Sequence, residues 1–271
     1  MTTTLLVIQH VDHEGPDQLG RLAEQRGMGL RVIRPDRGDV LPSPDQCPNS
    51  IALVLGGPMG VNERNQEAMA WLQHELEWLT AWHQSCQPVI GICLGAQLLA
   101  VAAGGSVETL QVGEPPQPLK EVGFGAIHWR VSSTDEPLVQ GQAGSTMALH
   151  WHGDRIRLPQ HATLLASSLH CAEQVFRIGQ HAIGLQCHLE ITGSNLEHWI
   201  RADHSYVVNA LGYKGAEQLR NDWTLLGSSL QSGGEQFFTS ALNQMESITD
   251  GLRNRTYPLR EEIKSKSFPN M

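Results

Sequence analysis

Cys93 stands where a nucleophile would be placed, because glycines lie two residues before it and two residues after it. The stretch Gly91-Ile-Cys-Leu-Gly95 has the G-x-C-x-G form of a nucleophile elbow, a sharp turn between a strand and a helix. The helix that follows would favour a thiolate through its unpaired N–H groups and the positive end of its dipole. A buried core cysteine is the alternative, since free cysteine often fills apolar interiors.

A catalytic cysteine needs a base, and the base needs a group that orients its ring. An apolar strand pattern over residues 182–186 continues into Cys187, His188, Leu189 and Glu190. In an extended chain, residues i and i+2 face the same way, so His188 can reach the thiol while Glu190 holds the other ring nitrogen. The sequence therefore predicts a triad of Cys93, His188 and Glu190.

A glycine-rich loop after another predicted strand could stabilise a tetrahedral intermediate. Residues 55–60 are Leu-Gly-Gly-Pro-Met-Gly and follow the apolar stretch that begins at Ile51. Glycine lets the backbone approach a substrate closely, and backbone N–H groups are common donors to an oxyanion. We predict that the N–H groups of Gly57 and Leu94 form an oxyanion hole.

Metal and nucleotide sites are the competing interpretations. Either His150, His152 and Asp154 or the pair of His188 and Glu190 could supply metal ligands, but no further Cys or His falls at the usual ligand spacing. No glycine-rich phosphate-binding motif occurs, and the Ser-Gly-Gly-Glu stretch at residues 232–235 is interpreted as a helix boundary. We therefore predict neither a metal nor a cofactor.

Composition limits the partners and the compartment. The 271 residues include 28 acidic and 19 basic side chains, a net charge of −9 that does not fit a general nucleic-acid binder. Five cysteines without a C-x-x-C pair fit a reducing cytoplasm, and the N-terminus lacks the features of a signal peptide. Residues 88–105 are apolar enough to resemble a membrane span, but Gln97 and several glycines favour a buried strand, turn and helix. The basic residues near the C-terminus are predicted to form a solvated tail: Arg253, Arg255, Arg260, Lys264 and Lys266.

Strands that alternate with helices must position these groups. Apolar, β-branched strands are predicted at residues 5–9, 30–34, 51–55 and 89–92, with helices over 16–26, 66–85 and 94–103. Shorter strands follow at 122–131, 146–150, 163–167, 174–178 and 182–186, and then helices at 195–211, 216–226 and 235–253. The pattern predicts an α/β fold with a mostly parallel central sheet flanked by helices.

Four segments, taken together and in order, resemble class I glutamine amidotransferases. They are Gly56-Gly-Pro-Met-Gly60, Gly91-Ile-Cys-Leu-Gly-Ala-Gln97, His150-Trp-His-Gly-Asp154 and Gly184-Leu-Gln-Cys-His-Leu-Glu190. The chain is most similar to the stand-alone proteins related to the amidotransferase domain of GMP synthase. The resemblance covers residues 1–200 as an amidotransferase domain of flavodoxin-like fold, and it implies that residues 201–271 are a helical extension packed on that domain.

The resemblance also implies a reaction. Cys93 would attack the side-chain amide of glutamine, with His188 moving protons and Glu190 orienting it, and glutamate and ammonia would leave through a γ-glutamyl thioester. The implied substrate-binding residues are Gly57, Pro58, Met59, Gln97, Gly153 and Asp154. The family's usual Gln-Phe-His-Pro-Glu is Gln-Cys-His-Leu-Glu here, which removes a rigid proline and an aromatic ring but keeps the spacing of His188 and Glu190.

Three functions remain open on this sequence. The first is a glutaminase that supplies ammonia to a separate synthetase or ligase subunit. The second is a hydrolase of γ-glutamyl peptides or γ-glutamyl amines that uses the same triad. The third is a non-catalytic regulatory protein on the same fold, because a fold alone does not establish an activity. Trp129, Trp151 and the loop at residues 110–122 are further candidates for shaping the pocket.

Overall fold

A nine-stranded sheet forms the centre of this computed structural model, which describes residues 2–265, with side chains through residue 253. Its strands pair in the order β2 (Gly29–Ile33), β1 (Thr4–Ile8), β3 (Ser50–Val54), β4 (Val89–Ile92), β13 (Ala182–Leu185), β12 (Val175–Ile178), β11 (Ala162–Ser167), β8 (Glu121–Trp129) and β9 (Ser145–His152). Two small sheets flank it. They pair β5 (Ser106–Thr109) with β10 (Asp154–Arg157) and β6 (Gln111–Val112) with β7 (Gln117–Pro118).

The central sheet changes from parallel to antiparallel pairing at β13. Neighbouring strands from β2 to β13 run parallel, and those from β13 to β9 run antiparallel. β3, β4 and β13 are buried along their whole length, as parallel strands covered on both faces should be. The predicted class, an α/β fold with helices on both sides of the sheet and a helical C-terminal section, is confirmed.

Helices cover both faces of the sheet: α1 (Asp17–Gln25), α2 (Ala70–Gln84), α3 (Leu94–Ala102), α4 (Gly193–Ala202), α5 (His204–Leu211) and α6 (Gly215–Ser265). Successive residues of β1 alternate between two apolar clusters, because strand side chains point to opposite faces. Leu5 and Val7 pack beneath α1 and α6, whereas Leu6 and Ile8 pack beneath α2 and α3. The apolar stretch at residues 88–105 is β4, the turn and α3, and no helix within residues 2–265 is long and apolar enough to span a membrane.

The predicted division of the C-terminal helices is wrong. Helices at residues 216–226 and 235–253, with a boundary at 232–235, were expected, but α6 is continuous through all of them. The helix predicted at 195–211 is instead two helices, α4 and α5, which meet at Asp203.

Gly233 and Gly234 do not break α6, because the helix lies so close to the sheet there that larger side chains would not fit. A Cβ on Gly234 would collide with the carbonyl oxygen of Leu189, and a Cβ on Gly233 would lie 2.5 Å from Cγ2 of Thr146. Helix packing therefore outweighs the low helix propensity of glycine here. The glycine pair lets α6 cross directly over the end of the strand that carries His188.

The extension contacts the rest of the chain along much of its length. α6 packs against α1, β8 and β9, while α5 packs against β8 and α6. Arg253, assigned to a solvated tail, donates a hydrogen bond of 2.8 Å to Oδ1 of Asn49. The side chains of the other basic residues in that predicted tail lie outside the described part, as do residues 266–271 altogether. A domain division at residue 200 stays a prediction.

One acidic residue interrupts the apolar stripe of α2. The predicted helix at 66–85 begins as short 3₁₀ turns and becomes α-helical at Ala70. Glu75 lies on its buried face with a relative exposure of 0%. Such a carboxylate requires a partner, since burying an unpaired charge is costly. Its partner is His10, just after β1.

Candidate active site

The turn at Cys93 has the strained geometry of a nucleophile elbow. Cys93 caps the N-terminus of α3 with φ +52° and ψ −110°, a conformation that L residues rarely adopt. Both flanking glycines are required by close backbone contacts. A Cβ on Gly91 would lie 2.5 Å from the carbonyl oxygen of Gly95, and a Cβ on Gly95 would collide with that of Val54. The turn therefore places the sulfur at the first turn of a helix, where a negative charge is stabilised.

His188 and Glu190 form a buried pair beside the elbow. Nδ1 of His188 lies 2.7 Å from Oε1 of Glu190, and both side chains are at least 97% buried. Nε2 of His188 has no hydrogen-bond partner among the described residues, so it is the ring nitrogen left to exchange a proton with Cys93. Burial disfavours the charged ring, but the charges of Glu190 and Cys93 outweigh it and raise the pKa of His188 above its ordinary value.

Backbone contacts fix the strand end that carries this pair. His188 and Leu149 exchange two backbone hydrogen bonds, of 2.8 and 3.0 Å. The N–H of Gln18 donates to the carbonyl of Glu190 at 3.1 Å. The ring of Trp199 meets that of His188 edge-on, with centroids 4.7 Å apart. These contacts hold the segment without the proline that is usual in the family.

Gln97 and Gln186 form a buried relay toward the sulfur. Nε2 of Gln97 donates to Oε1 of Gln186 at 3.1 Å, and Nε2 of Gln186 donates to Sγ of Cys93 at 3.7 Å. Gln97 was expected to seat the amino-acid end of the substrate, and it does border the cavity. Gln186 was not predicted as a site residue, although alternation along the strand places it on the same side as His188.

A cleft of about 390 Å³ opens above Cys93, within the usual size range of small-molecule sites. Nine predicted site residues line it: Gly57, Pro58, Met59, Cys93, Leu94, Gln97, Gly153, Asp154 and His188. Glu190 does not line the cleft, because it lies behind His188. The structure therefore brings the predicted triad, oxyanion and substrate residues to one place, while their roles stay predictions.

The loop at residues 110–122 contributes Pro118, Leu119 and Lys120 to the lining, as expected. Nζ of Lys120 lies 4.7 Å from the ring centroid of Tyr206, a lining residue that was not foreseen. Trp151 also lines the cleft, as expected, and its Nε1 donates to Oδ2 of Asp203 at 3.1 Å. Trp129 does not line it. That ring instead stacks against Phe237 of α6, with centroids 5.7 Å apart.

Glu14 is another unforeseen carboxyl group in the cleft lining. It is 7% exposed and lies against Gly56, close to the elbow. Burial is the main cause that raises the pKa of Glu14 to about 7, and the charges of His188 and His10 oppose the rise. The carboxyl group therefore changes its charge near neutral pH, between two histidines.

A histidine-rich cluster lies on β8 and β9 next to the cleft. Ligand atoms of Glu121, His150 and His152 lie within 4.8 Å of one another, which is close enough to share a metal ion. Gln174, however, places its amide nitrogen 2.9 Å from Oε2 of Glu121 and 3.3 Å from Nε2 of His152. The same carboxylate oxygen lies 3.0 Å from Nε2 of His152. Glu121, His152 and Gln174 thus form a hydrogen-bond network, and the absence of a metal here stays a prediction.

A second buried histidine–glutamate pair lies behind the glycine-rich loop. Nε2 of His10 lies 2.9 and 3.1 Å from the two carboxylate oxygens of Glu75, and Nδ1 lies 2.8 Å from the carbonyl oxygen of Gly56. Both side chains have an exposure of 0%. This pair was not predicted from the sequence, in which its members are 65 residues apart.

The fold and this site define an α/β protein whose cysteine elbow faces a His–Glu pair. The family model described as glutamine amidotransferase class-I matches residues 19–208. The chain belongs to the class I glutamine amidotransferase family.

Relatives and solved structures agree with this assignment. The glutamine amidotransferase-like protein YfeJ of Salmonella typhimurium is 29% identical over 209 residues, which are 76% of this chain and 84% of that protein. GMP synthase of Porphyromonas gingivalis is 34% identical over 106 residues, 38% of this chain but only 19% of the synthase. A glutamine amidotransferase from Methylobacillus flagellatus superposes with a TM-score of 0.76 at 25% identity, covering 90% of this chain and 96% of that one. One from Thermotoga maritima shares the fold, with a TM-score of 0.77 at 24% identity over 91% of this chain and 99% of that one.

Proposed function

We propose that this protein is a glutaminase that hydrolyses the side-chain amide of glutamine to glutamate and ammonia. The observation that carries the proposal is the environment of His188. Its Nδ1 is held by Glu190, and its Nε2 is left without a partner beside Cys93 at the base of the cleft. This is the arrangement that activates a thiol for attack on a carbonyl carbon.

The proposed reaction proceeds in two steps. The thiolate of Cys93 attacks the amide carbon, and the N–H groups of Gly57 and Leu94 donate to the oxygen that becomes negative. His188 gives its proton to the departing nitrogen, so that ammonia leaves and a γ-glutamyl thioester remains. Water then attacks the thioester and gives a proton to His188, which releases glutamate and restores the thiolate. Glu190 keeps the ring in the orientation that serves both steps.

Glutamine hydrolysis by the purified chain tests this proposal. Cys93→Ala should lower ammonia release by about 10⁴-fold or more, because the nucleophile is lost. Cys86→Ala is the matched control, since Cys86 is an exposed cysteine outside the cleft, and it should leave the rate unchanged. A glutamine-mimicking chloroketone should label Cys93 and not Cys86. If Cys93→Ala keeps the wild-type rate, Cys93 is not the nucleophile.

A substrate panel separates this function from its neighbours. If glutamine is inert but γ-glutamyl peptides or amines are cleaved, the protein is a hydrolase with a larger leaving amine. If all substrates and the chloroketone are inert, the enzymatic functions are excluded unless a partner subunit activates the site. We further propose that a separate synthetase or ligase subunit consumes the ammonia. Addition of that partner should then raise the rate of glutamine hydrolysis.

A further inference from the structure

We propose that His10 and Glu75 are positioning residues that hold the Gly56–Gly57 peptide with its N–H directed into the cleft. The inference rests on the proposed thioester chemistry, in which the Gly57 N–H receives the oxyanion. It assigns a function to a buried pair that the reaction itself does not use.

The hydrogen bonds of His10 determine where its protons lie. A carbonyl oxygen can only accept, so Nδ1 must carry a hydrogen toward Gly56 at 2.8 Å. Nε2 faces both oxygens of Glu75, at 2.9 and 3.1 Å, as a donor to a carboxylate would. Burial opposes the charged ring, but Glu75 outweighs it and raises the pKa of His10 above its ordinary value. The ring therefore acts as a doubly donating imidazolium, paired with a carboxylate.

Because a peptide group is planar, the hydrogen bond that fixes the Gly56 carbonyl also fixes the Gly57 N–H on the other side of the loop. The carbonyl of Gly56 and the N–H of Gly57 belong to one trans peptide, in which they point in opposite directions. His10 lies behind the loop and does not line the cleft, whereas Gly57 lines it. An oxygen held toward His10 therefore turns the Gly57 N–H away from His10, toward the cleft side of the loop.

The loop needs such an anchor because both residues of the peptide are glycines. Glycine populates left-handed and right-handed backbone regions about equally, so this peptide could rotate by half a turn at little steric cost. Rotation would break a charge-assisted hydrogen bond and leave a buried donor on His10 unsatisfied, both of which oppose it. Stacking of His10 on Trp71, with centroids 5.7 Å apart, restrains the ring itself. The His10–Glu75 pair thus holds the Gly57 N–H in one orientation, as a preorganised donor.

Two kinds of reaction at Cys93 distinguish positioning from general support of the fold. Glutamine hydrolysis passes through an oxyanion, whereas alkylation of the thiol by chloroacetamide does not. His10→Phe and the conservative Glu75→Gln should lower kcat by about 10- to 100-fold, since loss of one oxyanion donor costs about 10²–10³-fold. KM and the rate of alkylation should stay within about twofold of wild type. A γ-glutamyl aldehyde, which forms a tetrahedral adduct, should bind more weakly by about the same factor as kcat falls.

Glu136→Gln provides the matched control. Glu136 is a carboxylate of similar burial, 2.8 Å from Nε of Arg177 and outside the cleft lining. Its loss should lower stability without changing the ratio of hydrolysis to alkylation. Equal losses of hydrolysis and alkylation in the His10 and Glu75 variants would overturn the positioning role, as would an unchanged kcat.

A crystal structure of His10→Phe keeps this test separate from that of the proposed function. The Gly56–Gly57 peptide should adopt more than one orientation in the variant and one in the wild type. A single wild-type orientation in His10→Phe contradicts the proposal, whether or not glutamine is hydrolysed. If the wild-type protein does not hydrolyse glutamine, the proposed function is refuted. If the peptide is nevertheless freed in His10→Phe and fixed in the wild type, the positioning role of His10 still holds.

Discussion

Two buried histidine–glutamate pairs flank the elbow, and they differ in what their rings have left to offer. His188 binds Glu190 through Nδ1, and its Nε2 has no hydrogen-bond partner in the described part of the chain, while His10 uses both nitrogens, one for Glu75 and one for Gly56. A ring with a free nitrogen can transfer a proton, whereas a ring with two occupied nitrogens can only hold its partners in place. In the proposed reaction, the same two residue types therefore have different tasks: one pair transfers protons and the other holds the glycine-rich loop.

The pairs also differ in how the fold assembles them. His188 and Glu190 come from one strand end, two residues apart, and that segment is clamped by Leu149 and α6. His10 and Glu75 come from different elements and meet only when α2 packs onto the sheet. The first pair is local in sequence, and the second depends on tertiary structure.

Removal of the charge from the first pair should have the largest effect. Glu190→Gln is expected to lower kcat by about 10²–10⁴-fold, because the orientation of His188 and the stabilisation of its charge are both lost. Since Glu190 raises the pKa of His188, its neutralisation should lower that pKa. The basic limb of kcat/KM should move to lower pH in a profile from about pH 5 to 10. An unmoved limb would mean that Glu190 does not control the protonation of His188.

Glu14 lies within reach of both histidines and tests the electrostatics between the pairs. Its pKa is raised from 4.5 to about 7 in the folded protein, mainly by burial. The folded state therefore binds the proton more tightly, and the stability from Glu14 is present below about pH 4.5 and is lost as pH rises through about 7. Glu14→Gln should remove this loss and gain about 2–3 kcal/mol in unfolding free energy at pH 8 relative to pH 5.

Denaturant unfolding of wild type and Glu14→Gln at the two pH values measures that difference. Glu24→Gln serves as the control, because Glu24 is an exposed carboxylate on the neighbouring α1. A stability difference between Glu14→Gln and wild type that is the same at both pH values would contradict the raised pKa.

Gly234→Ala tests the close contact between α6 and the segment that carries His188 and Glu190. The added methyl group would collide with the carbonyl of Leu189, so a loss of about 1–3 kcal/mol in unfolding free energy is expected. Gly251→Ala on the same helix is the matched control, since no atom of the described residues lies within 4 Å of its Cβ position and the residue is exposed. It should raise stability by about 0.5–1 kcal/mol through helix propensity. Thermal unfolding of both variants shows whether Gly234→Ala lowers stability while Gly251→Ala raises it. A stabilised Gly234→Ala would exclude the close contact.

Local spacing made the triad predictable and left the second pair hidden. The elbow motif and the His-x-Glu spacing indicate Cys93, His188 and Glu190 because each signal lies within a few residues. Glu75 interrupts the apolar stripe of α2, but nothing in sequence connects it to His10 or predicts that it is buried. The position of Trp199 against His188 likewise follows from helix packing.

The continuous helix α6 was missed for the opposite reason, because a local sequence signal was present but misleading. Gly233 and Gly234 have low helix propensity, which predicted a boundary, but the contact with Leu189 requires residues without a side chain at this crossing. Parallel strands were easier to predict, since burial on both faces produces continuous β-branched runs such as residues 89–92.

The backbone conformation of Cys93 lowers the stability of the fold while it presents the thiol to the cleft. An L residue held at φ +52° and ψ −110° costs on the order of 1–3 kcal/mol, a noticeable part of the roughly 5–15 kcal/mol that keeps a typical domain folded. Glycine at this position would relieve the strain and abolish the thiol. Stability alone would therefore favour glycine in this turn, and under the proposed function the strain is the thermodynamic cost of presenting the thiol to the cleft.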